Sequence, residues 1–272
     1  MVLALVQQLV TIPITYIYAR RPAIKWSAFV ANAPLAVIYT LNVASGLRGT
    51  GALSVPMFVA LRRFTLFITI GLEYYLYGKR HDIWTLVSVT LMLAGALGAA
   101  ITDLSFSISG YAAVFANNIL SACYMILIKN NRTEGLTREK TMLYNAMVAA
   151  PILSFTSMLL RDERMRLHNF QYISNGYFQV TYFLSASLGV VVTHATFVCT
   201  EINDPLTTSV VGVMKNISTT LIGAFAFPDY VFNVVNALSL GVSTLGAITY
   251  ADLQIRKTSC SSGLPHTSTP KR

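Results

Sequence analysis

Long apolar stretches separated by short basic clusters constrain this chain more than any other feature of its sequence. Residues 1–19, 28–47, 53–77, 83–102, 108–129, 139–160, 176–200, 205–227 and 231–253 carry little charge. Each is close to the ~20 residues that a helix needs to cross a bilayer. The breaks fall at Arg20-Arg21-Pro22, Gly78-Lys79-Arg80-His81-Asp82 and Lys129-Asn130-Asn131-Arg132. In lipid the backbone must be satisfied inside helices or closed barrels. Barrel strands read as short alternating segments, and these runs are continuous. The expected fold is therefore all-α, a polytopic membrane protein of about nine transmembrane helices.

Composition agrees with that reading. The chain is 54% hydrophobic and 11% charged, against about 25% charged for a soluble domain. Its net charge of +9 could suggest nucleic acid, but the basic residues sit in the loops between apolar runs, as topology signals do. Cys123, Cys199 and Cys260 lack metal-ligand spacing, and the four histidines are scattered, so no metal or cofactor is expected. The first run carries Gln7-Gln8, has no basic residue before it and ends in Arg20-Arg21. It reads as a span and not as a signal peptide.

Orientation follows from Lys and Arg. Of the 20, Arg48, Arg161, Arg164 and Arg166 fall on one side, Arg62, Arg63 and Lys215 lie within spans, and the rest share the other side. The positive-inside rule then places the C-terminus in the cytosol and the N-terminus on the far side. Residues 1–257 form the membrane domain, and the Ser/Thr-rich residues 258–272 read as a disordered cytosolic tail. Neither Asn131-Arg132-Thr133, in a cytosolic loop, nor Asn216-Ile217-Ser218, inside a span, is expected to be glycosylated.

An ionisable residue at mid-membrane costs roughly 2.5–3.5 kcal/mol on insertion scales, so it faces a cavity or a partner. Lys215 is the sharpest case. At helical spacing Thr208, Gly212, Lys215 and Thr219 form one stripe, with Ser209, Asn216 and Thr220 beside it. A cation among hydroxyls and an amide suits a phosphate or carboxylate; the alternative is a lysine that snorkels or pairs structurally with Glu201 or Asp204. Arg62 and Glu73 share a face but lie about 16 Å apart along a continuous helix, which leaves neighbouring helices, lipid headgroups or a substrate phosphate as partners. Tyr144-Asn145, and the face formed by Asn117, Ser121 and Tyr124, offer amides and phenols that read a nucleobase edge or bond other helices.

Four stretches carry a resemblance. They are Leu53-Ser54-Val55-Pro56-Met57-Phe58 running into Leu61-Arg62-Arg63-Phe64-Thr65, Gly110-Tyr111 with Asn117-Asn118, Leu143-Tyr144-Asn145-Ala146, and Leu206-Thr207-Thr208-Ser209-Val210-Val211-Gly212-Val213-Met214-Lys215-Asn216. Together they resemble the nucleotide-sugar transporters of the drug/metabolite transporter superfamily, over residues 26–256. The likeness is greatest to the UDP-glucuronic acid and UDP-N-acetylgalactosamine group. The GDP-mannose carriers of the family have Phe-Tyr-Asn-Asn and Gly-Ala-Leu-Asn-Lys motifs. Ala146 and the Lys215-Asn216 order depart from these and look like the UDP-sugar group.

The resemblance implies ten spans in two inverted repeats. Residues 1–19 would match the second helix, with the family's first helix absent here. It also implies a substrate site in which Tyr144 and Asn145 lie near the base and Lys215 and Asn216 near the diphosphate or sugar. Gly212, Asn118, Ser121 and Arg62 complete the candidate set. Expected partners are a nucleotide sugar, a nucleoside monophosphate and the lipid bilayer, with no nucleic acid; a homodimer stays open. The expected activity is UDP-sugar/UMP antiport into the Golgi or endoplasmic reticulum lumen. The alternatives are GDP-mannose or a phosphorylated metabolite of triose-phosphate type as cargo, or a truncated, non-transporting membrane protein. An intramembrane enzyme is not expected, because it would need a cluster of acidic or metal-binding residues at the membrane surface, which the close pair Glu201 and Asp204 does not make.

Overall fold

The computed structural model describes residues 2–20, 25–53, 55–100, 107–130, 137–159, 175–226 and 234–262. Their secondary structure is all helical: α1 Val2–Tyr18, α2 Trp26–Ala52, α3 Val55–Leu61, α4 Phe64–Tyr77, α5 Ile83–Ala100, α6 Ile108–Asn130, α7 Arg138–Leu159, α8 Gly176–Ile202, α9 Pro205–Ala226 and α10 Val234–Ser262. These helices match the nine expected spans with one difference. The third span is two helices, α3 and α4, separated by a turn at Arg62–Arg63. Arg62 and Glu73 therefore do not lie on one continuous helix, as the sequence suggested. Arg161, Arg164, Arg166, the Asn131 sequon and residues 263–272 of the expected tail lie outside the described residues.

Among the described residues, α2, α6 and α8 are long and apolar enough to cross a bilayer by length and composition alone, and Val2–Tyr18 and Ile83–Gly98 are shorter apolar helices. The others depart for visible reasons. The third span is broken, α7 opens on Arg138-Glu139-Lys140, and α9 carries Lys215 and its polar stripe. Pro13, Pro34 and Pro151 sit inside α1, α2 and α7. Membrane helices tolerate such prolines because nearby hydroxyls and neighbouring helices re-satisfy the freed carbonyls. In α1, on either side of Pro13, the Thr11 and Thr15 hydroxyls donate one turn back to the carbonyls of Gln7 and Thr11, at 2.7 and 2.6 Å, whereas the carbonyl that Pro13 frees is that of Leu9.

The chain divides into two compact units: residues 1–54 with 106–209, and residues 55–105 with 210–272. Each is made of two separate stretches of sequence, so the chain passes between them three times. In the first unit α1 packs on α7 and α8, and α2 packs on α6 and α7. Its core joins Leu35 of α2, Tyr124 and Ile128 of α6, Met142 of α7, and Val190 and Phe197 of α8. In the second unit α5 packs on α10, with α3 and α4 against α5.

The α5–α10 contact is close enough to require glycine. A Cβ on Gly95 would lie 2.5 Å from the Ser239 carbonyl oxygen and 2.6 Å from the Ser243 amide nitrogen, both backbone atoms. Across the same seam a Cβ on Gly246 would lie 2.8 Å from the Ser88 carbonyl oxygen. Small residues permit this approach, and van der Waals contact between backbones then replaces the hydrophobic effect that lipid does not supply.

Candidate functional site

The expected site residues divide between the units. Asn118, Ser121, Tyr144 and Asn145 belong to the first; Arg62, Gly212, Lys215 and Asn216 belong to the second.

In the first unit Asn42 of α2 is a hub that sequence reasoning missed. Asn117 of α6 donates through Nδ2 to the Asn42 carbonyl oxygen at 2.7 Å and to its Oδ1 at 2.6 Å. The Ser121 hydroxyl donates to the same Oδ1 at 2.9 Å. Ser121, a candidate substrate contact, thus spends its proton on a helix–helix bond, one of the two alternatives its face allowed. Gly46, one turn beyond Asn42, lets this happen, since a Cβ there would stand 3.0 Å from Asn117 Nδ2. An Asn followed by a Gly one turn later in an apolar run was the available signal.

Tyr144 is buried, at 2% exposure, and its hydroxyl accepts the Lys25 amide proton at 3.0 Å. Lys25 is the N-cap of α2 and makes no side-chain cap. The phenol therefore takes the place that a Glu or Gln side chain fills in a capping box. Asn145 lies beside the Tyr124 hydroxyl. Tyr124 in turn packs its ring against Tyr39, 5.7 Å between centroids, and edge-on against Phe197 at 6.2 Å. Helices α2, α6, α7 and α8 each bring one residue to this cluster. Among the described residues, Tyr124 Oη, Asn145 Oδ1 and Asn117 Oδ1 are buried without a well-formed hydrogen bond. A buried polar atom left so costs about 1–3 kcal/mol, which marks these three as the polar capacity of the unit not spent on helix packing. Asn118 is buried on the same helix, at 1% exposure.

In the second unit Lys215 stands about 15 Å from the start of α9 at 1.5 Å per residue, close to the middle of this 22-residue helix. It is exposed, as are Val211, Met214 and Ser218, whereas Val210, Val213 and Ile217 are buried. Asn216 and Gly212 are half-buried. A Cβ on Gly212 would meet nothing within 4 Å, so open space adjoins the helix one turn from the lysine. Along the predicted stripe, Thr208 is buried at 5% exposure and Thr219 lies outside the described side chains. Arg62 occupies the α3–α4 turn, its guanidinium 5.7 Å from the Phe58 ring centroid.

Glu201 and Asp204, the acidic residues the sequence offered beside Lys215, make ion pairs with basic residues of α7 and α6. Glu201 accepts from Arg138, and Asp204 accepts from Lys129. Lys129 Nζ also donates to the Asn203 carbonyl oxygen at 3.3 Å. Together these contacts tie the ends of α6 and α7 to the α8–α9 corner. No cluster of metal-binding side chains occurs among the described residues.

No family model matches the chain. It is 35% identical over 240 residues to the UDP-sugar transporter UST74c of Drosophila melanogaster, covering 87% of this chain and 63% of the relative. The chain thus spans less than two thirds of that protein's length. It is 31% identical to the nucleotide sugar transporter SLC35D2 of Mus musculus, covering 93% of this chain and 79% of the relative. The UDP-sugar transporter sqv-7 of Caenorhabditis elegans is 34% identical, covering 83% of this chain and 69% of the relative. A crystal structure 14% identical in sequence superposes with a TM-score of 0.68 over 94% of this chain and 88% of that one; at that identity the likeness speaks to fold alone. The relatives are named as transporters and not as enzymes. By its identity to them over most of its length, this multi-pass membrane protein belongs to the nucleotide-sugar transporter family.

Proposed function

We propose that the protein carries a nucleotide sugar across an intracellular membrane, with a UDP-sugar as cargo and UMP leaving in exchange. The observation that carries this reading is Lys215, an exposed cation about halfway along a spanning helix, one turn from the open flank of Gly212. A cation inside an apolar run of a transporter marks a path for a charged substrate. A diphosphate is such a substrate on the inward leg and a monophosphate on the return. In this reading Lys215, Asn216 and Gly212 meet the diphosphate or sugar, and Arg62 adds a second phosphate contact. Tyr144 and Asn145, with Asn118 and Ser121, line the base side.

Identity to proteins named as UDP-sugar transporters supports a uridine nucleotide as cargo. The Tyr144-Asn145-Ala146 and Lys215-Asn216 sequences support UDP-glucuronic acid and UDP-N-acetylgalactosamine as the first to test. The Lys and Arg asymmetry supports a cytosolic C-terminus, with transport from cytosol into the Golgi or endoplasmic reticulum lumen. Alternating access at a site between repeats is the mechanism such folds employ.

Proteoliposomes preloaded with UMP or GMP and offered radiolabelled UDP- and GDP-sugars test the proposal. Uptake of a UDP-sugar that depends on internal UMP is the expected result. Uptake that depends on GMP, or none from folded protein, overturns it.

A further inference from the structure

The turn that splits the third span is overwound. The amides of Arg63, Thr65 and Leu66 donate to the carbonyls of Ala60, Arg62 and Arg63, each at 3.1 Å. These are i to i+3 bonds, the pattern of a short 3₁₀ stretch, which in mid-helix marks a hinge or local strain. No proline or glycine stands at the turn. Successive residues there are rotated by about 120° rather than about 100°, so the two arginines point in different directions.

Arg63 turns inward. Its side chain is 6% exposed, and Nη1 donates to the carbonyl oxygen of Met92, in the middle of α5, at 3.1 Å. The same carbonyl accepts the Ser243 hydroxyl of α10 at 3.3 Å. One backbone oxygen thus gathers the α3–α4 turn, α5 and α10. Arg62 is half-buried and lies toward the Phe58 ring instead. Burying a guanidinium on a neutral carbonyl costs more than packing an apolar side chain of similar size, so stability alone does not account for an arginine here.

We propose that Arg63 is a positioning residue: it pins the overwound turn to the Met92 carbonyl and thereby sets the direction in which Arg62 presents its guanidinium to the phosphates of the cargo. This rests on the reading of Arg62 as a phosphate contact. Arg63 meets no phosphate itself and acts through its neighbour.

The test is UDP-sugar exchange in proteoliposomes by Arg63→Gln, Arg63→Lys, Arg62→Gln and the double Gln variant, each checked by thermal unfolding in detergent. Arg63→Gln is expected to raise KM about tenfold with Vmax changed less than about twofold, and Arg63→Lys to raise it about threefold, since an ammonium reaches the carbonyl without the fixed fork. The double variant is expected to be no worse than Arg62→Gln alone, a non-additivity that a purely structural arginine does not produce. An unchanged KM in Arg63→Gln, or additive effects in the double variant, overturns the positioning role while leaving Arg62 in place. An unchanged KM in Arg62→Gln overturns the phosphate contact and the positioning role with it, as does wild-type protein that exchanges no nucleotide sugar. If Arg63→Gln does not survive extraction, Arg63→Lys decides: a raised KM at an unchanged unfolding midpoint supports the role, and an unchanged KM ends it.

Discussion

In the first unit neutral polar side chains link the helices: Asn117 and Ser121 to Asn42, Gln7 to Thr193 at 3.0 Å, and Tyr144 to the Lys25 backbone amide. In the second unit a cation and a hydroxyl, Arg63 and Ser243, both reach the Met92 carbonyl across helices. All three basic residues that the sequence places inside spans, Arg62, Arg63 and Lys215, fall in this second unit. Amides and phenols discriminate hydrogen-bond patterns, while cations balance charge without reading shape. Under the proposed function, the amides and phenols of the first unit would bear on the choice of cargo and the cations of the second on its charge.

The largest effect should come from removing the mid-helix cation. Lys215→Ala is expected to lower UMP-dependent exchange by about a hundredfold or more, with membrane insertion and the unfolding midpoint kept, because the change removes a charge cost as well as a ligand contact. Exchange preserved in this variant ends the assignment of phosphate binding to α9.

A stability contrast within the second unit comes next. Gly95→Val forces α5 and α10 apart at backbone atoms 2.5 and 2.6 Å from the new Cβ. Such overpacking costs about 1–3 kcal/mol or more, read as a lowered unfolding midpoint. Gly212→Ala meets nothing within 4 Å and should leave that midpoint unchanged, so any loss of exchange it causes belongs to the cargo path. A destabilised Gly212→Ala protein would mean that the flank of α9 is packed, and the open-site reading would fall.

The spans were legible because apolar runs of bilayer length leave few other folds. The break in the third span was not, since no proline or glycine marks Arg62–Arg63; the turn follows from where the Met92 carbonyl stands, which depends on packing against α5. Asn42 escaped notice for a related reason. Whether an asparagine in a spanning helix faces a neighbour or a cavity depends on helix rotation, and the Gly46 gap that settles it is formed by α6. The pairs Arg138–Glu201 and Lys129–Asp204 join residues 63 and 75 apart in sequence, beyond the reach of local spacing. Lys215 and its neighbours could be singled out as candidates because a charge within an apolar run stands out whatever the packing.

The smallest expected effect separates two phenols of the first unit. The Tyr144 hydroxyl accepts the Lys25 amide, so Tyr144→Phe should cost about 1 kcal/mol, the usual net worth of such a bond. The Tyr124 hydroxyl is buried without a well-formed partner among the described residues, so Tyr124→Phe should leave stability unchanged or slightly raised, because it relieves a desolvated group. If the unit distinguishes cargo, Tyr124→Phe should nonetheless change the ratio of kcat/KM between UDP- and GDP-sugars, through an oxygen that the fold does not use. An unchanged ratio together with unchanged stability would make the Tyr39–Tyr124–Phe197 cluster ordinary core. The first unit's share in choosing the cargo would then rest on Asn145, whose Oδ1 is the other polar atom of that cluster buried without a well-formed hydrogen bond among the described residues.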